Sequence, residues 1–255
     1  MTDELITREE GGIGHVVFNR PQARNALTFA MYEGIAAYCA EPPRGVRAIV
    51  VSGAGQAFAA GTDMTQFRAF STPEQAHDYE RKMDRVFTAI EQCPVPTLAA
   101  IDGACTGGGA GIAGCCDLRI ASARLKFGFP IARTLGNCLS AANLARLSAL
   151  MGAGRVREMI FLARLIEAEE ALRIGLVTEV LPDGDALMAR AVEMAERLAG
   201  MAPLTLRATK EGLRRLRAAT EVDDSDLIEL CYTSEDFREG MEAFLAKRKP
   251  EWRGR

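Results

Sequence analysis

Histidine is nearly absent from this sequence, with two residues, His15 and His77, in a chain of 255. The seven cysteines (39, 93, 105, 115, 116, 138 and 231) are odd in number and show no C-x-x-C spacing. A zinc site assembled from His and Cys needs tighter clusters, so no metal is expected and reduced thiols are the expected state. Gly103-Ala104-Cys105-Thr106-Gly107 mimics a nucleophile elbow, but both histidines precede Cys105, and that fold requires a histidine after the nucleophile. No G-x-x-x-x-G-K-[ST] phosphate loop occurs. The longest charge-free apolar window, Gly103–Cys116, is too short and too rich in glycine to span a bilayer. The acidic, polar amino terminus does not read as a signal peptide. A net charge of −3 argues against nucleic acid as a partner. These absences leave a globular cytoplasmic protein with no membrane partner and no separate cofactor as the expectation.

What is present centres on Thr97–Asp117, TLAAIDGACTGGGAGIAGCCD. Five glycines fall between Gly107 and Gly114, in a charge-free stretch of a chain that is 25% charged overall. Glycine loses more freedom on folding than any other residue, so such a run implies backbone that must approach something closely. Gly107–Gly109 reads as a strand-to-helix turn with N–H groups turned toward a ligand. Gly109–Gly114 also matches G-x-G-x-x-G, the dinucleotide fingerprint. That reading needs an acid about 20 residues on, and Leu125–Leu139 holds none. The vicinal Cys115–Cys116 pair is expected as two small apolar residues in a buried helix.

The spacing of apolar and turn residues predicts an α/β core followed by helices. Gly11-Gly12 joins two strands, Thr28 caps a helix, and Ala48–Val51 is a buried strand. Gly55–Asp63 is expected as a loop of small residues. Thr72-Pro73-Glu74-Gln75 carries a capping box and starts a helix toward Gln92. On that helix His77, Asp78, Tyr79 and Glu80 are expected on a solvated face, with a lid over the site as the alternative. After Ser140 the pattern becomes helical, and Arg207, Lys210, Arg214 and Arg217 form a stripe expected to face solvent.

Several segments together resemble the crotonase superfamily, the enoyl-CoA hydratase/isomerase family. Asn19–Leu27 (NRPQARNAL), Phe58–Met64 (FAAGTDM) and the segment from Asp102-Gly103 through Gly107–Gly109 to Cys116–Ala121 resemble its motifs. Ala171–Val180 and Glu239-Gly240 through Phe244, Lys247-Arg248 and Pro250 resemble its later segments, so nearly the whole chain is covered in order. The resemblance implies a crotonase (ClpP/crotonase-like) α/β fold of repeated ββα turns. It also implies a spiral core over residues 1–198 and a helical trimerisation region over 199–255. The partner implied is an acyl-CoA substrate, and the assembly a trimer or a dimer of trimers. Backbone N–H groups of Thr62 and Gly108 would form an oxyanion hole for an enolate-like intermediate. Arg24, Ala26, Ala60, Asp63 and Met64 would line the coenzyme A groove, and Phe244 and Lys247 would meet its adenine-phosphate end.

The sequence departs from the family where hydratases carry two glutamates, positions that read Gly111 and Ile131 here. Neither residue can transfer a proton, and no acid lies between Asp117 and Glu158. The usual hydratase mechanism, which needs two carboxylates, is not supported. Phe67, Phe70, Gly111, Ile131, Cys138, Leu139 and Ser140 are expected around the acyl group, with Asn137, Cys138, Ser140 and Asp63 as polar candidates. Two readings follow. One is an acyl-CoA lyase or isomerase acting through an enolate. The other is an acyl-CoA-binding protein with little catalysis.

Overall fold

The computed structural model describes residues 4–67, 72–219 and 225–253. Ten strands run in chain order: β1 Leu5–Glu10, β2 Ile13–Phe18, β3 Ala48–Gly53, β4 Ala57–Ala59, β5 Thr97–Ile101, β6 Ala104–Thr106, β7 Leu118–Ser122, β8 Lys126–Gly128, β9 Ile166–Glu167 and β10 Val180–Leu181. The helices are α1 Phe29–Ala40, α2 Pro73–Glu91, α3 Gly108–Cys115, α4 Ile131–Thr134, α5 Ala141–Met151, α6 Ala153–Phe161, α7 Ala168–Arg173, α8 Gly184–Ala199, α9 Pro203–Ala218, α10 Ser225–Tyr232 and α11 Glu235–Leu245.

The strands form two sheets. A six-stranded sheet has the order β1-β2-β3-β5-β7-β10, and a four-stranded sheet has the order β4-β6-β8-β9. Gly11 and Gly12, both at positive φ (57° and 80°), close the antiparallel β1–β2 hairpin, as the sequence predicts. From there the chain repeats one move. β3-β4-α2, β5-β6-α3 and β7-β8-α4 each place a longer strand in the large sheet and a short one in the small sheet. Large-sheet neighbours from β2 to β10 are parallel, and so are β4, β6 and β8. This is the crotonase α/β fold of repeated ββα turns. One expectation is corrected here, because Ala57–Ala59 is a strand within the segment read as a loop. Its small side chains let it pack against β6, and a Cβ on Gly103 would lie 2.2 Å from Gln56 O.

Alternation along the large sheet splits the core in two. Ile49, Val51, Ala99 and Ile101 face the main core, whereas Ala48, Val50, Leu98 and Ala100 face α8 through Leu187, Ala191 and Ala195. Two helix starts follow the expected caps: Thr28 accepts from Met31 N–H, and Thr72 and Gln75 form a reciprocal box. Asp183 is a further cap, accepting from Ala186 N–H. The stripe on α9 is solvated only in part: Arg207 is exposed as predicted and Arg214 pairs with Glu211 of its own helix, but Lys210 and Arg217 turn inward. Lys210 Nζ donates to Asp117 (2.6 Å) and Arg217 to Glu91 (2.7 Å), so the acidic partners of these two are part-buried carboxylates of the chain itself. No helix among the described residues is long and apolar enough to cross a membrane.

Candidate active site

The small sheet decides where the site forms. β4 and β6 are parallel neighbours, so the loops leaving their carboxy-terminal ends, 60–63 and 107–108, emerge side by side. Leu27 makes a parallel bridge to Thr62: Leu27 N–H donates to Gly61 O and Asp63 N–H donates to Leu27 O. Those two bonds use the peptides on either side of Thr62 and turn its own N–H the other way. Gly107 (φ 52°) then opens α3, whose first N–H, that of Gly108, has no partner within the helix. Among the described residues, neither the Thr62 nor the Gly108 N–H donates to any protein group.

Close approach explains the glycines. A Cβ on Gly108 would lie 1.6 Å from Tyr32 Oη and 3.2 Å from Thr62 Oγ1, and one on Gly109 would lie 2.4 Å from Ala59 O. At the other end of α3, the buried Arg119 donates to the carbonyls of Cys116 (2.6 Å), Ala113 (3.3 Å) and Leu176 (2.8 Å). A cation thus holds the negative end of the helix, and its positive end faces the loops. Cys115 and Cys116 are both buried beside it, and burial pushes both thiols up, Cys116 to about 12.

Both loops border a cavity of about 220 Å³. Ala60, Gly61, Thr62, Met64, Gly107 and Gly108 form one wall, and Phe129, Pro130, Ile131, Thr134 and Leu135 form another. Met83, Phe87, Asn137, Cys138, Leu139, Tyr232 and Phe244 close the remainder, together with Tyr79 and Glu80 of α2. The structure therefore brings together Thr62, Gly108, Ala60, Met64, Ile131, Cys138, Leu139 and Phe244 of the residues singled out in the sequence. Phe244 reaches the cavity from its own chain and remains 51% exposed.

Other candidates lie elsewhere. Arg24 is exposed at positive φ (49°), and its carbonyl accepts from Ala60 N–H. Ala26 accepts from Arg20 through its carbonyl (2.6 Å), and Lys247 is exposed at the end of α11. Asp63 does not line the cavity. Burial raises its carboxyl, but hydrogen bonds from the Thr65 hydroxyl and N–H and from Arg20 outweigh that and hold it below the usual range. Ser140 is a buried cap: it donates to Asp84 (3.1 Å) and accepts from Asn143 N–H, which takes it out of the acyl wall. Gly111 lies beneath Phe87 rather than on the cavity surface, because the ring covers it. Phe67 ends a short 3-10 turn, and its side chain and the whole of Phe70 lie outside the described residues.

Tyrosines supply most of the polar groups here, and sequence reasoning missed Tyr32 and Tyr232. Three of the four in the chain converge here. Tyr32 Oη lies 2.8 Å from Thr62 Oγ1, which lies 3.2 Å from Tyr79 Oη. Tyr232 Oη donates to Glu80 Oε1 (2.5 Å) and accepts from Asn137 Nδ2 (3.2 Å). The Asn137 Oδ1 is buried with no partner among the described residues. Burial raises all three phenols far above 10, and the Glu80 charge adds to the effect on each. Glu80 itself is 5% exposed, which corrects the solvated face expected for it. The signal was present in the spacing: Ala76, Glu80, Met83, Phe87 and Ile90 share one stripe of α2.

A parallel-stranded spiral with two glycine-bearing loops over one apolar cavity defines the crotonase class. The model of the enoyl-CoA hydratase/isomerase family matches residues 8–255. The short-chain-enoyl-CoA hydratase of Clostridium acetobutylicum is 34% identical, covering 98% of this chain and 97% of that protein. An enoyl-CoA hydratase/carnithine racemase structure from Magnetospirillum magneticum is 35% identical with a TM-score of 0.78, covering 100% of this chain and 97% of that one. A structure of methylmalonyl-CoA decarboxylase in complex with 2-nitronate-propionyl-CoA superposes with a TM-score of 0.88 at 26% identity, covering 99% of each chain. The chain belongs to the enoyl-CoA hydratase/isomerase family of the crotonase superfamily, a family of acyl-CoA enzymes.

Proposed function

We propose that this protein acts on an acyl-CoA thioester by stabilising an enolate-like oxyanion between the N–H groups of Thr62 and Gly108. What carries the reading is that these two donors are unspent and border one apolar cavity. Charge developing on a thioester oxygen in a dry site is stabilised by fixed donors, and loss of one such donor typically costs about 2.7–4 kcal/mol of barrier. Gly111 and Ile131 stand where hydratases of the family carry glutamates, so ordinary two-carboxylate hydration is not the proposed reaction. Isomerisation, decarboxylation or cleavage of a β-substituted thioester remain within reach, because each passes through the same enolate. Likeness to a methylmalonyl-CoA decarboxylase makes a malonyl-type thioester a first substrate to assay.

For the coenzyme A portion, the proposed groove runs along Arg24, Ala26, Ala60, Asp63 and Met64 toward Phe244 and Lys247. No bound metal or separate cofactor enters this scheme. Residues 199–255 would form a trimerisation region on the 1–198 core, giving a cytoplasmic trimer or dimer of trimers. Support for assembly comes from Leu204, Leu213 and Leu216 of α9, which are 78%, 64% and 77% exposed. Incubation with crotonyl-CoA, a 3-enoyl-CoA and a malonyl-type CoA, with product followed by mass, tests the reading. Turnover of one of them, lost in Gly108→Ala, is expected. Tight thioester binding without turnover on a broad panel would favour a binding protein, which the family relationship does not favour.

A further inference from the structure

We propose that Glu80 is the acid–base residue of this site, moving a proton at the carbon next to the thioester carbonyl, with Tyr232 as the positioning residue that holds its carboxylate. The inference rests on the acyl-CoA reading above and adds the group that reading lacks.

Among the described residues lining the cavity, Glu80 is the one carboxylate, and no lysine, arginine or histidine accompanies it. It sits on the apolar stripe of α2, one turn from Met83 and two turns from Phe87. Burying a carboxylate on such a face is costly, and here it is met by a specific donor, the Tyr232 hydroxyl at 2.5 Å. That hydroxyl is itself fixed by Asn137 and by ring contacts with Tyr79 and Phe237, at centroid separations of 6.2 and 4.9 Å. Two helices 152 residues apart in sequence are thereby joined at the cavity wall.

The oxyanion loop is next to this pair. Tyr79, the neighbour of Glu80 in the chain, bonds Thr62 Oγ1, and the Glu80 charge reaches as far as Tyr32 on the other side of that oxygen. Two competing candidates, Asp63 and Ser140, are occupied. Asp63 is held by Arg20 and Thr65 outside the cavity, and Ser140 caps α5. On α3, the ring of Phe87 covers Gly111 and leaves no room for a carboxylate there. The proton-transfer group has therefore moved from the α3 side to α2.

In the step proposed, a Glu80 oxygen takes the proton from the α-carbon. The C–H electron pair becomes the carbon–carbon double bond of the enolate, and the carbonyl pair moves onto oxygen, between the N–H groups of Thr62 and Gly108. The reverse step returns a proton to carbon. The same delivery would quench an enolate formed by loss of carbon dioxide.

Butyryl-CoA, which has exchangeable α-protons and no leaving group, separates this step from any later chemistry. The full chain is incubated with butyryl-CoA in deuterated water, and the mass of the thioester is followed beside its affinity by calorimetry. The wild-type protein is expected to bind the ester and add deuterium. Glu80→Gln, which keeps the shape and can still accept from Tyr232, should lose exchange by about 100-fold or more with little change in affinity. Tyr232→Phe should slow exchange by about tenfold while leaving affinity in place, a split that a purely structural role would not produce. Glu80→Asp, a second variant that keeps the carboxylate, should retain part of the exchange. Exchange at the wild-type rate in Glu80→Gln, or wild-type binding without exchange, would overturn the role of Glu80 and leave the acyl-CoA reading standing. Failure of the wild-type protein to bind any CoA ester would remove that reading and this one with it.

Discussion

The ring of Phe87 lies so close over Gly111 that a Cβ there would come 2.6 Å from its Cζ. Gly111 is thus a packing glycine in this chain, and Phe87 fills the volume a longer side chain would need. Gly111→Glu is expected to lower stability by about 1–3 kcal/mol, the usual cost of overpacking a filled core. It should not install hydration of crotonyl-CoA. Phe87→Ala in the same chain should recover part of the folding loss. Urea denaturation of wild type and the two variants checks this, and a Gly111→Glu protein as stable as wild type would show that the ring yields.

Gly108→Ala tests the crowded side of the two loops proposed to form the oxyanion hole. Its Cβ would meet Tyr32 Oη and press on Thr62 Oγ1, so both loops must shift. Turnover of the best thioester substrate should fall by about 10²–10³, the range for losing one oxyanion donor. Tyr32→Phe removes only the hydroxyl bonded to Thr62 and is expected to cost about 0.5–1.5 kcal/mol of stability. Comparing kcat and chemical denaturation for the two variants separates loop position from loop support.

The Asp63 carboxyl sits below its ordinary value because its folded partners, Thr65 and Arg20, favour the charged form over the penalty of burial. A group with a lowered folded pKa stabilises the protein fully above its unfolded value, about 3.9 for aspartate, and loses that contribution as pH falls through the folded one. Wild type should therefore exceed Asp63→Asn in urea midpoint at neutral pH. The gap should close as pH is taken down through and below the unfolded value. A gap that persists at the lowest pH would mean that charge at Asp63 is not what orders the loop.

Cys231, beside Tyr232, has its thiol pulled down to about 7 by the hydrogen bond with Cys138, against the opposing effect of burial. Iodoacetamide labelling at Cys231, followed by peptide mass, should rise with pH around that value rather than near the 8.5 of a free thiol. Cys138→Ser should move the midpoint. Bound thioester should slow the labelling, since Cys138 lines the cavity.

Local chemistry made much of the frame readable in advance. Gly11-Gly12, the caps at Thr28 and Thr72, and the helix opening at Gly108 each depend on residues a few positions apart. The meeting of Thr62 with Gly108 came from family resemblance, and the parallel pairing of β4 with β6 gives its physical cause. Glu80 was misread because four polar residues in a row, from His77 to Glu80, suggest water. Only the spacing to Met83 and Phe87 assigns Glu80 to the other face. Tyr232 could not be found by any local pattern, since its partner lies 152 residues away. Ser140 shows the converse, because the hydroxyl that looked available for chemistry is the cap its own position predicts.

That long separation bears on how the protein is made. A chain emerging from the ribosome delivers both glycine-bearing loops well before α10 and α11 exist. Until those helices dock, the cavity lacks Tyr232 and Phe244, and Glu80 faces water instead of a phenol. Amino-terminal parts fold first during synthesis, so nascent chains hold the two glycine-bearing loops in an open trough. The cavity is the last part of the molecule to be completed.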